Sequence, residues 1–293
     1  MRIGITGASG LIGSALGANL RREGHQVVRF VRHPTTDVME IPWQPGAELD
    51  PGLLAGLDAI VHLAGAGVGD KRWTDAYKQE ILRSRVDGTA TIAAAMAQAT
   101  GGPRVLVCGS AVGYYGDTGD RITDESGPQG EGFLAEVVQR WEAAAQPAVT
   151  AGLRVAYART GLVVSSRGGA WQKLFPIFKA GIGGKLGSGK QYWPAISLTD
   201  EVRALVFLLT QDIQGPVNLV GPQPVTNAEV TKAMGEILKR PSVIPVPGFA
   251  LKAVLGEFAQ DTLASQRIVP RVLEQAGFIW DQPDIKSMIE SAR

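Results

Sequence analysis

Gly7, Gly10 and Gly13 stand three residues apart in the run Thr6-Gly7-Ala8-Ser9-Gly10-Leu11-Ile12-Gly13. The run follows the apolar stretch Arg2 to Thr6 and opens a segment of helical spacing, Leu11 to Arg22, closed by Gly24. A strand, a glycine-rich turn and a helix in that order make a phosphate cradle. The first glycine permits the sharp turn, the second lets the backbone approach a pyrophosphate, and the third lets helix and strand pack closely. Ser9, Leu11 and Ile12 complete the turn and the helix N-terminus, whose N–H groups and partial positive charge suit phosphates. The same spacing also serves as a plain structural turn, so the rest of the chain has to supply the context.

That context is an alternation. Strand-like runs recur at Arg2 to Thr6, Gln26 to Val31, Ala59 to Leu63, Arg104 to Cys108, Leu153 to Ala158 and Pro216 to Val220. Between them lie helical spacings at Leu11 to Arg22, Thr74 to Ala99, Phe133 to Val149 and Asp200 to Leu209. Strands alternating with helices imply an α/β fold, a Rossmann-type doubly wound parallel sheet covered on both faces. After Gly221 the pattern changes: Thr226 to Glu229 has the spacing of a capping box and starts a helix ending near Arg240. Val243 to Pro247 reads as a strand, and Ala250 to Phe258 and Thr262 to Ala276 as helices. The expected division is a dinucleotide-binding domain over 1–221 and a smaller C-terminal α/β substrate lobe over 222–293, with about 165–195 contributing to the lobe.

Charge points to a small-molecule substrate: 29 basic against 28 acidic residues give a net charge of +1, without the positive field that nucleic-acid binding uses. One cysteine, Cys108, and three scattered histidines offer neither an intrachain disulfide nor metal-ligand spacing. Met1 runs directly into strand-like residues, and no uncharged apolar run reaches the ~20 residues of a membrane span, so a cytoplasmic protein is expected. A homodimer is left open.

The second strand ends Val28-Arg29-Phe30-Val31-Arg32-His33-Pro34. A site for the plain ribose would carry an acid there; Arg32 instead suits a 2′-phosphate, which favours NADP, with a solvated surface arginine as the alternative. The third strand ends His62-Leu63-Ala64-Gly65-Ala66-Gly67, small residues where backbone can pass close to a cofactor ribose.

Thr6 to Gly13, His62 to Gly65, Arg85 to Thr89 (RVDGT) and Gly109 to Gly116 (GSAVGYYG) together resemble the extended short-chain dehydrogenase/reductase superfamily. The resemblance is closest to its atypical "epimerase family protein" branch, similar to NAD-dependent epimerases and dehydratases with a C-terminal domain of unknown function. Shared with that branch are Lys71-Arg72-Trp73, Ser84-Arg85, Phe133 to Glu142, Pro245 to Pro247 and Ser265 to Pro270. The resemblance implies NADP(H) contacted around Val31 and Arg32, Leu63 and Ala64, Glu80, Arg85 and Val163.

Superfamily oxidoreductases pair a strand-end Ser or Thr with Y-x-x-x-K, the Lys lowering the Tyr pKa for proton transfer. Here the expected helix reads Phe133-Leu134-Ala135-Glu136-Val137-Val138-Gln139-Arg140, with neither residue. The hydroxyls left near the strand end are Ser110, Tyr114 and Tyr115, the candidate catalytic groups. Glu136 and Arg140 read as an exposed ion pair. The glycine-rich stretch Gly181 to Trp193 reads as a loop, in which Trp193 either stacks on substrate or plugs the lobe interface. Two functions fit: an NADP(H)-dependent oxidoreductase or epimerase-like enzyme on a small carbonyl or sugar-like substrate, and an NADPH-binding sensor without turnover.

Overall fold

A computed structural model describes all 293 residues. Its strands are β1 (Arg2–Thr6), β2 (Gln26–Val31), β3 (Glu40–Pro42), β4 (Ala59–His62), β5 (Val105–Ala111), β6 (Arg154–Thr160), β7 (Leu162–Val164), β8 (Tyr192–Trp193), β9 (Ala195–Ser197), β10 (Gly215–Leu219) and β11 (Val225–Thr226). Helices are α1 (Leu11–Arg22), α2 (Asp75–Gln98), α3 (Phe133–Ala143), α4 (Gln146–Thr150), α5 (Gly169–Lys179), α6 (Leu198–Thr210), α7 (Asn227–Leu238), α8 (Gly248–Leu255), α9 (Ala259–Leu263), α10 (Arg271–Gln275) and α11 (Ile285–Ala292).

Seven strands form one parallel sheet in the order β10-β6-β5-β4-β1-β2-β3. Successive residues point to opposite faces, and both faces are covered: Ile3, Ile5, Val27, Val61 and Val107 pack on one side, Val28, Phe30, Ile60 and Leu106 on the other. This two-sided burial is why the strands are apolar throughout. Chain order reverses between β1 and β4, which makes their carboxyl ends the switch point where such a sheet takes ligands. The glycine run and Leu63 to Gly65 both lie there.

A third apolar cluster joins Trp171, Phe175 and Phe178 of α5 to Trp193, Val230, Met234, Met288 and Ile289. Trp193 is therefore buried packing between chain segments far apart in sequence. The capping box at Thr226 and Glu229 is formed.

Three expectations fail for physical reasons. Val243 to Pro247 makes only a single bridge, Leu186 with Val246, because Pro245 and Pro247 deprive it of ladder donors. Thr262 to Ala276 is not one helix: between α9 and α10 the backbone is extended, and long-range partners take its polar groups, Gln266 N–H bonding Tyr192 O and Thr123 N–H bonding Arg267 O. Phe133 to Val149 divides into α3 and α4, with Pro147 in the first turn of the second. The short β3, the helices α5 and α11 and the two-stranded ladders β7·β9 and β8·β11 had no sequence counterpart. No helix is long and apolar enough to cross a membrane.

Candidate functional site

Each glycine of the turn answers to a different constraint. Gly7 is left-handed at φ +65°, and a Cβ there would lie 2.9 Å from the Leu63 carbonyl. At Gly13 a Cβ would collide with the Gly7 carbonyl oxygen. Gly10 has ordinary backbone geometry, φ −72°, and a Cβ there would meet only Gly7 O, at 3.3 Å. The protein's own packing requires the first and third glycines, whereas the space over Gly10 is left open. It opens on the N-terminus of α1, which has no side-chain cap and no acidic residue in its first turn. Uncapped N–H groups and the positive helix end at an exposed Ser9-Gly10 turn fit a phosphate.

One hydroxyl ties the turn to the end of β4. Thr6 Oγ1 accepts from Leu63 N–H at 3.0 Å and Ala64 N–H at 3.1 Å, so its own proton goes to His62 Nδ1 at 2.8 Å. His62 is thereby held as the Nε2–H tautomer, and burial pushes its pKa down to about 4. Thr6 thus takes both amides, and the side chains of Leu63 and Ala64 pack half-buried against the two core clusters. Gly65 is exposed directly above the Arg85 side chain.

The loop after β4 is pinned carbonyl by carbonyl. Arg85 Nη1 donates to Ala66 O at 2.8 Å, the Tyr77 hydroxyl to Gly67 O, Trp73 Nε1 to Val68 O at 2.8 Å and Lys173 Nζ to Gly69 O at 2.8 Å. Ser84 Oγ accepts from Ala66 N–H. The guanidinium of Arg85 lies over the Trp141 ring, and burial lowers its pKa to about 10. Arg85 and Ser84 thus shape the loop from below, while Glu80 is an exposed residue 3.4 Å from Lys71 at its rim.

At the other side of the turn, β2 ends at Val31, and Arg32 projects beyond it, exposed and without an ion-pair partner. Glu40 is spent on Arg29 at 2.5 Å, and Asp37 caps the amide of Met39. No carboxylate competes for Arg32. Val163 lies half-buried in β7, paired with Ile196.

The end of β5 is the opposite of open. Ser110 Oγ donates to Glu142 Oε1 at 2.6 Å; Arg159 forks onto both Glu142 oxygens at 2.8 Å and also donates to the Tyr115 hydroxyl at 2.8 Å. The Tyr115 hydroxyl then donates to Asn218 Oδ1 at 2.8 Å, and Asn218 Nδ2 to Val269 O. Burial raises the Tyr115 pKa to about 12. Of the three expected catalytic hydroxyls, Ser110 and Tyr115 are consumed in this chain. Tyr114 is different: half-buried, its ring 3.6 Å from the Arg159 guanidinium, its hydroxyl makes no hydrogen bond within the protein. The helix face against the strand end is apolar, with Leu134 and Val138 nearest Gly113. Glu136 and Arg140 form an exposed ion pair at 2.6 Å.

Glu142, Arg159 and Asn218 were missed in the sequence, although a charged residue inside the otherwise apolar run VAYART is itself a signal of a buried partner. Asp200, wholly buried, was missed too: it accepts the amides of Asp281 and Gln282 at 2.8 Å and tethers the C-terminal segment.

Comparison with known proteins places this geometry. Residues 3–221 match the model of the NAD dependent epimerase/dehydratase family, and residues 246–292 a domain of unknown function (DUF1731). The chain is 47% identical to "Epimerase family protein Mb2239" of Mycobacterium bovis over 279 residues, 94% of this chain and 92% of that one. It is 36% identical to the epimerase family protein SDR39U1 of Bos taurus, covering 99% of both. Among solved structures, human epimerase family protein SDR39U1, crystallised with NADPH, superposes with a TM-score of 0.91 at 31% identity, covering 100% of this chain and 99% of that one. The cradle at Gly10, the switch point between β1 and β4 and the matched span agree: the chain belongs to the NAD dependent epimerase/dehydratase family.

Proposed function

We propose that the protein binds NADP(H) across the β1–β4 switch point and acts as an NADP(H)-dependent oxidoreductase or epimerase-like enzyme on a small carbonyl or sugar-like substrate. The observation that carries the cofactor half is the vacant space over Gly10 at an uncapped helix end, set beside an unpaired Arg32. The NADPH found in the SDR39U1 crystal supports that choice of dinucleotide. Ser9, Gly10 and the α1 amides hold the pyrophosphate, Arg32 takes the 2′-phosphate, and the carbonyls of Leu63 and Ala64 border the ribose.

The bound cofactor supplies a hydride or accepts one. What the chain must add is a proton donor at the end of β5. Tyr114 fills that role here, since its hydroxyl alone among the three is free to meet a ligand. A phenol hydroxyl with no partner in the protein can donate to a developing oxyanion. Tyr114→Phe is expected to lower turnover roughly 10²-fold with NADPH affinity within a few fold. The apolar Leu134 and Val138 favour the second reading, an NADPH sensor: NADPH bound tightly but oxidised by no member of a broad carbonyl panel would establish it and remove the role of Tyr114.

A further inference from the structure

The segment joining β7 to α5 crosses the mouth of the glycine turn. Gly168 lies so close to α1 that a Cβ would sit 3.2 Å from the Leu11 side chain, and Gly169, at φ +67°, turns the chain into α5. Ser9, Gly10, Leu11, Ser14, Arg167, Gly168 and Gly169 together line an open cleft of about 340 Å³. Its wall contains no carboxylate. Arg167 is the single charged group on it, exposed and in no ion pair, with its backbone N–H fixed by Ser165 Oγ at 3.2 Å.

We propose that Arg167 is a binding residue for the cofactor pyrophosphate, closing over it from the side opposite the α1 N-terminus. This rests on the NADP(H) reading above and adds to it a second cation with a different target. Arg32 lies past the end of β2 and discriminates the 2′-phosphate, which only NADP(H) has. Arg167 lines the same cleft as Gly10 and grips the two phosphates shared by NADP(H), NAD(H) and ADP-ribose. The helix end offers N–H groups in one direction only; a guanidinium facing them completes the neutralisation of a dianion. The arrangement also has a structural consequence. Ser166 Oγ bonds the Ala292 carbonyl, and α5 carries Trp171, Phe175 and Phe178 into the third apolar cluster. Cofactor gripped by Arg167 is thus joined through a few residues to the body that includes α7 and α11.

The two cations separate by ligand. In the full chain, Arg167→Met is expected to weaken NADPH, NADH and ADP-ribose by about 10- to 100-fold each, as loss of a charge-assisted hydrogen bond does, and to leave 2′-AMP within two- to threefold. Arg32→Ala should do the reverse, weakening NADPH and 2′-AMP and sparing NADH and ADP-ribose. Arg167→Lys should recover part of the loss, and the unfolding temperature without ligand should match the unsubstituted chain. Unchanged ADP-ribose affinity in Arg167→Met, or an equal loss for ADP-ribose and 2′-AMP, overturns the assignment. If the unsubstituted chain binds none of these ligands, it is the NADP(H) reading that fails, a result separate from any effect of Arg167.

Discussion

At the glycine turn the chain leaves polar groups unspent: an uncapped helix end, an open space over Gly10 and an unpaired arginine. Some residues along the same edge of the sheet, at β5, it spends nearly everything. Ser110, Glu142, Arg159, Tyr115 and Asn218 satisfy one another, leaving the Tyr114 hydroxyl free. Unspent groups are what a ligand can use, whereas satisfied buried groups fix the frame. The contrast teaches that a hydroxyl at a strand end is not by itself a catalytic group; who already holds it decides.

The largest effect should come from the spent region. Glu142→Ala leaves the Arg159 guanidinium buried without its carboxylate, which costs about 3 to 5 kcal/mol. Chemical denaturation checks this, and a loss under 1 kcal/mol would mean that water replaces Glu142 and that the region is as open as the turn.

The turn itself can be split next. Gly13→Ala forces a Cβ into the Gly7 carbonyl and should destabilise the fold by about 1 to 3 kcal/mol. Gly10→Val should keep the circular dichroism spectrum and abolish NADPH titration, because its side chain enters the open space. Native-like affinity in Gly10→Val would show that the space serves no ligand.

Arg32→Ala should narrow the preference for NADPH over NADH by about 1 to 3 kcal/mol, read by fluorescence titration. Equal affinities in the unsubstituted protein would remove the 2′-phosphate from the argument.

A pH-dependent effect concerns Glu201, buried on α6 with one oxygen taking the Thr160 hydroxyl at 2.8 Å and the other without a partner. Burial raises its pKa from the ordinary 4.5 to about 8, so the folded state holds a proton that the unfolded chain releases. Its contribution is therefore complete below pH 4.5 and declines as pH rises to about 8. Glu201→Gln should flatten that part of the stability profile, measured as unfolding temperature from pH 5 to 9. An unchanged slope would assign the pH dependence to another group.

Much of this was legible locally. The glycine spacing, the apolar runs of a sheet buried on both faces, Arg32 beyond a strand end and the Thr226 capping box all follow from backbone geometry and periodicity, which act within a few residues. Local sequence therefore determined the sheet and the glycine turn. It did not determine which hydroxyls are free, because the partners of Ser110 and Tyr115 lie 32 and 103 residues away. Nor did it bring Arg167 to the wall of the cleft at Gly10, or break Thr262 to Ala276 into extended chain held by Tyr192 and Thr123. Those outcomes depend on burial, where a polar group must find a partner wherever the fold brings one, and only the tertiary structure decides which partner that is.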